Sequence, residues 1–201
     1  MAETFITIGR QFGSGGREIG KKVAEALGFP YYDKELLAVA AEESGLSHQF
    51  LESYDEKPTN SFFYSLVMGQ QNLLTGAQGV TVEQLAARAQ REAVQSVANK
   101  GSCVIVGRCA DYLLRDRPGL VRVFICADWD KRIERVCRRD GMSPKEAEDK
   151  LRRMDRTRAS YYGFHTDLKW GAAETYDLCI NSSKKGVDAA VSLILEFVKQ
   201  P

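Results

Sequence analysis

The sequence lacks an excess of either charge: 28 Lys and Arg stand against 27 Asp and Glu, a formal net of +1 over 201 residues. A general binder of nucleic acid or of an anionic membrane surface carries a basic surplus, so neither partner is expected. No run of about 18 apolar residues occurs, and so no membrane span is expected. The opening Met1-Ala2-Glu3-Thr4-Phe5-Ile6 has neither the basic nor the apolar region of a secretory leader, which predicts a cytoplasmic location. Cysteines are few: Cys103, Cys109, Cys126, Cys137 and Cys179 form an odd set without a Cys-x-x-Cys pair, excluding a patterned zinc site or disulfide framework. Cys103, Cys126 and Cys179 lie in apolar runs, where cysteine is expected to act as a small buried hydrophobe. His48 and His165 are far apart and unaccompanied by carboxylates, so structural or surface roles are expected. Asn99-Lys100-Gly101-Ser102 lacks the aspartate of a guanine-reading Asn-Lys-x-Asp.

What is present is an alternation of short apolar runs and helical patterns. The length predicts one domain, residues 1–201, able to bury about 70% of the unfolded chain's surface without metals or disulfides. Strands are predicted at Phe5-Ile6-Thr7-Ile8, Pro30-Tyr31-Tyr32-Asp33, Cys103–Val106, Val121–Cys126 and Tyr176–Ile180. The third and fourth are near-continuous apolar runs, as in strands covered on both faces. Helices are predicted over Arg17–Leu27, Lys34–Glu43, Ser47–Tyr54, Phe62–Leu74, Val82–Asn99, Ala110–Leu114, Asp128–Arg139 and Val187–Val198. Another opens at Ser143-Pro144-x-Glu146, with Ser at the N-cap and Pro at N1. This order argues for a three-layer α/β/α fold on a parallel sheet of about five strands.

Between the first strand and helix lies Gly9-Arg10-Gln11-Phe12-Gly13-Ser14-Gly15-Gly16-Arg17-Glu18-Ile19-Gly20. Strand, glycine-rich turn and helix make a phosphate cradle, because backbone N–H groups turn inward and the helix N-terminus adds partial positive charge. The pattern is neither Gly-x-Gly-x-x-Gly nor a complete Gly-x-x-x-x-Gly-Lys-[Ser/Thr]. Aligned on Gly13-Ser14-Gly15, the lysine position holds Gly16, and Arg17 follows one residue late, about 100° around the helix. Arg10 and Arg17 are the candidates to replace the lysine, and Ser14 offers a hydroxyl away from the usual metal position.

The glycine loop, with Tyr32-Asp33, Val106-Gly107-Arg108 and Asp155-Arg156-Thr157-Arg158-Ala159, resembles the cytidylate kinase-like family of P-loop nucleoside monophosphate kinases over nearly the whole chain. The resemblance implies a P-loop NTPase fold with a helical lid. It places the donor, ATP with Mg²⁺, on Arg10, Gly13, Ser14, Gly15, Gly16, Arg17 and Glu18, with no metal ligand assigned. It implies acceptor contacts by Arg108, Asp155 and Arg158. Asp33, at the end of the second strand where open α/β sheets bind ligands, is a further acceptor-side candidate. Family members commonly carry Gly-Arg-Asp where this chain has Gly107-Arg108-Cys109, and Asp111 is a possible substitute for the missing carboxylate. Residues 34–100 form a helical acceptor-side region, of which 61–99 is long enough to offer a homodimer face.

Residues 131–158 hold 11 Lys and Arg against 6 Asp and Glu, a local net of +5 over a body of −4. The surplus falls in the basic lid region, 131–165, where transferring phosphoryl groups need cationic stabilisation. Arg132, Arg135 and Arg139 share one helix face and, with Arg17, are the catalytic candidates. Tyr161-Tyr162-Gly163-Phe164 is expected to pack the base of the lid, and Trp129 and Trp170 to pack the core. The leading expectation is ATP-dependent phosphoryl transfer to CMP or dCMP. Two alternatives remain: a nucleotide-binding protein with little kinase activity, and a small-molecule kinase with another acceptor.

Overall fold

The computed structural model describes residues 3–55 and 82–199. The helix expected over Phe62–Leu74 and the glycines after it, Gly76 and Gly79, lie outside the described residues. The five strands are β1 (Phe5–Arg10), β2 (Tyr31–Tyr32), β3 (Cys103–Val106), β4 (Leu120–Cys126) and β5 (Leu178–Asn181). They form one parallel sheet in the order β2-β3-β1-β4-β5, with Ile8 beside Val106 on one side and Val123 on the other. The connection after β1 runs toward β2 and the one after its neighbour β4 runs the other way, toward β5, so the glycine loop stands at a switch point of the sheet.

The pleat divides the core in two. Phe5, Cys103 and Ile105 face helices α2 (Glu35–Ser44), α3 (His48–Ser53), α4 (Val82–Asn99) and α5 (Ala110–Leu113). Ile6, Ile8, Val104, Val106, Val123 and Ile125 face α1 (Gly16–Leu27) and α8 (Ser182–Lys199). Both faces of β3 are buried, which is why its sequence shows no alternation. The expected strand at Tyr176–Ile180 begins later, because Ala173–Thr175 forms a 3-10 turn that delivers Tyr176 to the core ahead of β5. α8 is broken at Gly186 (φ 83°, ψ −179°), so its regular part starts at the expected Val187.

Two helices stand over the C-terminal ends of the strands: α6 (Trp129–Asp140) and α7 (Pro144–Thr166). The Ser143 side chain accepts from the Glu146 N–H, and the Glu146 carboxylate accepts from the Ser143 N–H at 2.9 Å, a closed capping box. Val136, Ala147 and Leu151 join the pair into a small core of its own, against which Trp129 and Phe12 pack. Trp170 meets the Phe124 ring edge-on at 5.3 Å, a packing role as expected. One expectation is corrected: only Cys103 of its trio is buried, while Cys126 is half-buried and Cys179 exposed. β5 is an edge strand and lacks the second cover that the central strands have.

Candidate active site

The site grows from the end of β1. The Gln11 N–H bonds the Ile125 carbonyl at 3.0 Å, and its side-chain carbonyl accepts from Ala127 N–H at 3.1 Å, fixing the loop to β4. Ser14 is fully buried, and its hydroxyl donates to the Gln11 carbonyl at 2.9 Å. The Ser14 carbonyl in turn accepts from Ser182 Oγ at 2.6 Å. That hydroxyl is spent inside the loop and faces no ligand. α1 begins at Gly16, so its first-turn N–H groups and positive end open onto the loop.

Glycine is required at two positions, at Gly15 by its backbone angle and at Gly16 by contact. Gly15 sits at φ +84°, and a Cβ there would run into the Arg135 guanidinium. A Cβ at Gly16 would stand 2.6 Å from Arg10 Cβ, closer than real side-chain carbons approach. The missing lysine thus has a steric cause: buried Arg10 occupies the space beside position 16.

The loop floors a cleft of about 570 Å³, within the usual range for small-molecule sites. Arg10, Arg17, Arg135, Arg138, Arg139 and Arg158 line it, with Glu18 the one acidic residue. Arg135 Nη1 donates to the Gly13 carbonyl at 3.3 Å and so holds its charge directly over the loop. Arg138 is absent from the residues expected from sequence. Its signal was available, since it follows Arg135 by three positions on the same helix. Arg139 pairs with Asp140 at 2.6 Å, and that contact, together with Lys150, holds the Asp140 carboxyl far below the usual carboxylate range.

Arg132, expected at the donor, is buried and turned to structure. Its Nε donates to the Phe12 carbonyl at 2.7 Å, and its guanidinium pairs with Asp155. Asp155 Oδ1 accepts from the Phe12 N–H at 2.7 Å. The residue expected on the acceptor side therefore lies against the glycine loop.

The remaining candidates meet beside the loop. The buried Asp33 carboxylate takes Arg17 Nε at 2.6 Å, Arg108 Nη1 at 3.5 Å and Arg10 Nη2 at 3.7 Å. The rotation of Arg17 past the lysine position thus aims it at Asp33. Neighbouring Tyr31 is pushed up to about 12 by burial and by the Asp33 charge. Arg108 also pairs with Asp55 at 3.0 Å. Its backbone belongs to a run of three left-handed residues, Gly107 (φ 79°), Arg108 (φ 53°) and Cys109 (φ 53°), which swings the chain sharply off β3. Arg158 Nη1 donates to the Arg10 carbonyl at 3.2 Å. It borders both the cleft and a smaller cavity, about 20 Å³, lined by Arg108, Cys109, Asp111, Tyr161 and Tyr162. Asp111 accepts from Tyr162 Oη at 2.6 Å; burial raises its carboxyl against the opposing pull of that bond.

The donor set does not fit a protein-held Mg²⁺. Among the described residues no group of three or more His, Cys, Asp and Glu could hold a metal, Asp33 is enclosed by arginines, and Ser14 faces inward. The arrangement suits an oligophosphate: converging guanidinium groups, helix N–H groups and a backbone loop give charge-assisted donors on several sides.

Comparison with known proteins identifies a family and a shared fold. A cytidylate kinase from Pyrococcus horikoshii is 26% identical over 197 residues, covering 96% of this chain and 88% of that one. The crystal structure of an uncharacterized protein from Eubacterium ventriosum ATCC 27560 matches at 32% identity and TM-score 0.73, covering 99% of this chain and 100% of that one. Shikimate kinase from Bacteroides thetaiotaomicron, 16% identical with TM-score 0.55 and covering 99% and 100%, shares the fold. The family model for the cytidylate kinase-like family matches residues 5–184, and the chain belongs to that family.

Proposed function

We propose that the protein transfers the terminal phosphoryl group of ATP to a nucleoside monophosphate, with CMP or dCMP as the acceptor. The observation that carries this reading is the arginine-lined cleft over the glycine loop, adjoining a second arginine group at Asp33. The first group receives the triphosphate and the second the acceptor's phosphate. Arg158 spans the two, where charge develops during transfer. The acceptor phosphate is itself the nucleophile, so positioning and charge stabilisation suffice and no general base is needed. Among the described residues none would hold Mg²⁺ directly; carried by ATP, the ion would offset part of the phosphate charge. Arg135, over Gly15, supplies the positive charge that a loop lysine otherwise gives, and Arg17 holds Asp33 in place.

The acceptor is the finer part of the reading. The Pyrococcus relative is a cytidylate kinase, and the fold is shared with a shikimate kinase, so both acceptor classes belong in the test. ADP release is measured with CMP, dCMP, UMP, AMP and non-nucleotide hydroxyl acceptors. Turnover with CMP or dCMP well above the others is expected. Turnover with a non-nucleotide acceptor alone, or ATP binding without turnover, overturns the reading. Arg135→Ala is expected to lower turnover about 100-fold, the usual loss on removing one transition-state donor. An unchanged rate would take the lysine's role away from Arg135.

A further inference from the structure

Phe12 is the point at which α6 and α7 meet the glycine loop, and every part of it is engaged. Its N–H donates to Asp155 of α7 at 2.7 Å, and its carbonyl accepts from Arg132 of α6 at 2.7 Å. Arg132 and Asp155 pair with each other, closing a ring across both helices and the loop. Three cations surround the phenyl ring: Arg139 at 5.0 Å, Arg158 at 5.5 Å and Lys150 at 5.6 Å from its centroid. Two of these, Arg139 and Arg158, also line the cleft. The ring packs on the small core of Val136, Ala147 and Leu151.

We infer that Phe12 is a positioning residue that keys the arginine-bearing helix pair onto the glycine loop before nucleotide arrives. A lysine at position 16 is sterically excluded, and the loop's own cations, Arg10 and Arg17, are turned to Asp33. Charge must then come from α6 and α7, which are more than a hundred residues away in sequence. A phenyl face orders guanidinium groups without neutralising them, because the attraction is to the ring quadrupole. Asp140 also holds Arg139 and Lys150 and offsets part of their charge, whereas the ring adds order without that loss, and does so for Arg158 too. The hydrogen bonds at the Phe12 backbone fix the distance, and the ring helps to direct Arg139 and Arg158, together with Asp140 and the Arg10 carbonyl.

The inference rests on the reading that this loop takes the donor triphosphate, and it is testable without any acceptor. Phe12→Leu keeps an apolar side chain and both backbone bonds and removes the ring; Phe12→Tyr keeps the ring. Calorimetry with ATP and with inorganic tripolyphosphate is expected to show affinity about tenfold weaker for Phe12→Leu, the combined scale of two to three exposed cation–π contacts. Phe12→Tyr is expected to restore it. In turnover assays the KM for ATP should rise more than the acceptor KM, because Arg139 and Arg158 both line the donor cleft and only Arg158 also faces the acceptor side. Unchanged tripolyphosphate affinity in Phe12→Leu, equal loss for donor and acceptor, or failure of Tyr to restore binding overturns the role. Hydrogen exchange on the wild-type, nucleotide-free protein gives a check that needs no variant: the Phe12 amide should be protected, and free exchange there sinks the inference. Loss of tripolyphosphate binding in Phe12→Leu, alongside a wild type that phosphorylates no nucleotide, would keep the positioning role and refute only the proposed function.

Discussion

Restoring the lysine should damage this protein. In Gly16→Lys the first new atom, Cβ, stands 2.6 Å from Arg10 Cβ, 3.1 Å from Arg10 Cγ and 3.4 Å from Ile125 Cβ. Arg10 cannot yield easily, since it is buried, lies near Asp33 and carries on its carbonyl the Arg158 bond. Overpacking of this kind costs about 1–3 kcal/mol. An opposing gain exists, because replacing glycine in a helix interior returns up to ~1 kcal/mol. Position 16 is the first residue of α1, where that gain is smaller, so the collision decides the sign. At roughly 2–4 °C per kcal/mol for a domain of this size, the melting temperature should fall by roughly 2–12 °C. Turnover should fall with it, as moving Arg10 disturbs Asp33 and Arg158 together. Thermal unfolding by circular dichroism and the ADP-release assay read both effects, with Gly16→Ala as control. Because Cβ is the offending atom, alanine should lose nearly as much stability as lysine. A lysine variant that is as stable as the parent and turns over faster would refute the steric account.

Other expectations concern neighbouring groups. Arg158→Ala should raise the KM for ATP and for the acceptor by at least about tenfold each, since this side chain lies where the cleft adjoins Arg108 and its charged bonds carry about 1.5–3 kcal/mol. A loss confined to one substrate would assign the guanidinium to that side alone. His165 is held below its ordinary 6.5 by burial and then by the nearby Arg91 charge, so the fold favours its neutral form. Its contribution is complete above pH 6.5 and declines as pH drops below that value, where the unfolded chain takes up the proton more readily. The melting temperature should therefore be lower at pH 5.5 than at pH 7.5, and His165→Gln should narrow the gap; an unaltered gap places the acid sensitivity elsewhere.

The sheet was readable in advance because β3 and the inner part of β4 are covered on both faces and so appear as unbroken apolar runs. Helix α7 was readable because Ser143, Pro144 and Glu146 encode its start locally. Cys179 misled because an apolar run does not reveal whether a strand will be central or at an edge. In the site, the glycine loop and Arg108 are marked by short patterns next to strands. The contact of Asp155 with the glycine loop was not legible, because its partner Phe12 is 143 positions away and helix spacing does not say which neighbour a face will meet. Arg17 shows the same limit from the other direction: its 100° offset is plain in the sequence, and Asp33 as its destination is not.

The cleft's unequal charge bears on speed as well as on grip. Six guanidinium groups line the recess beside Glu18, and Asp33, Glu134 and Asp140 pair with four of them, which still leaves positive charge in excess at its mouth. A multiply charged anion diffusing nearby is drawn toward the opening and turned phosphate-first before any contact forms. Capture should then slow steeply as salt is added, over a range where the Debye length shrinks from about 30 Å to 8 Å. Phosphate and sulfate buffers would occupy the same recess and mimic weak inhibitors, so the solution chosen for an assay becomes part of the kinetics it reports.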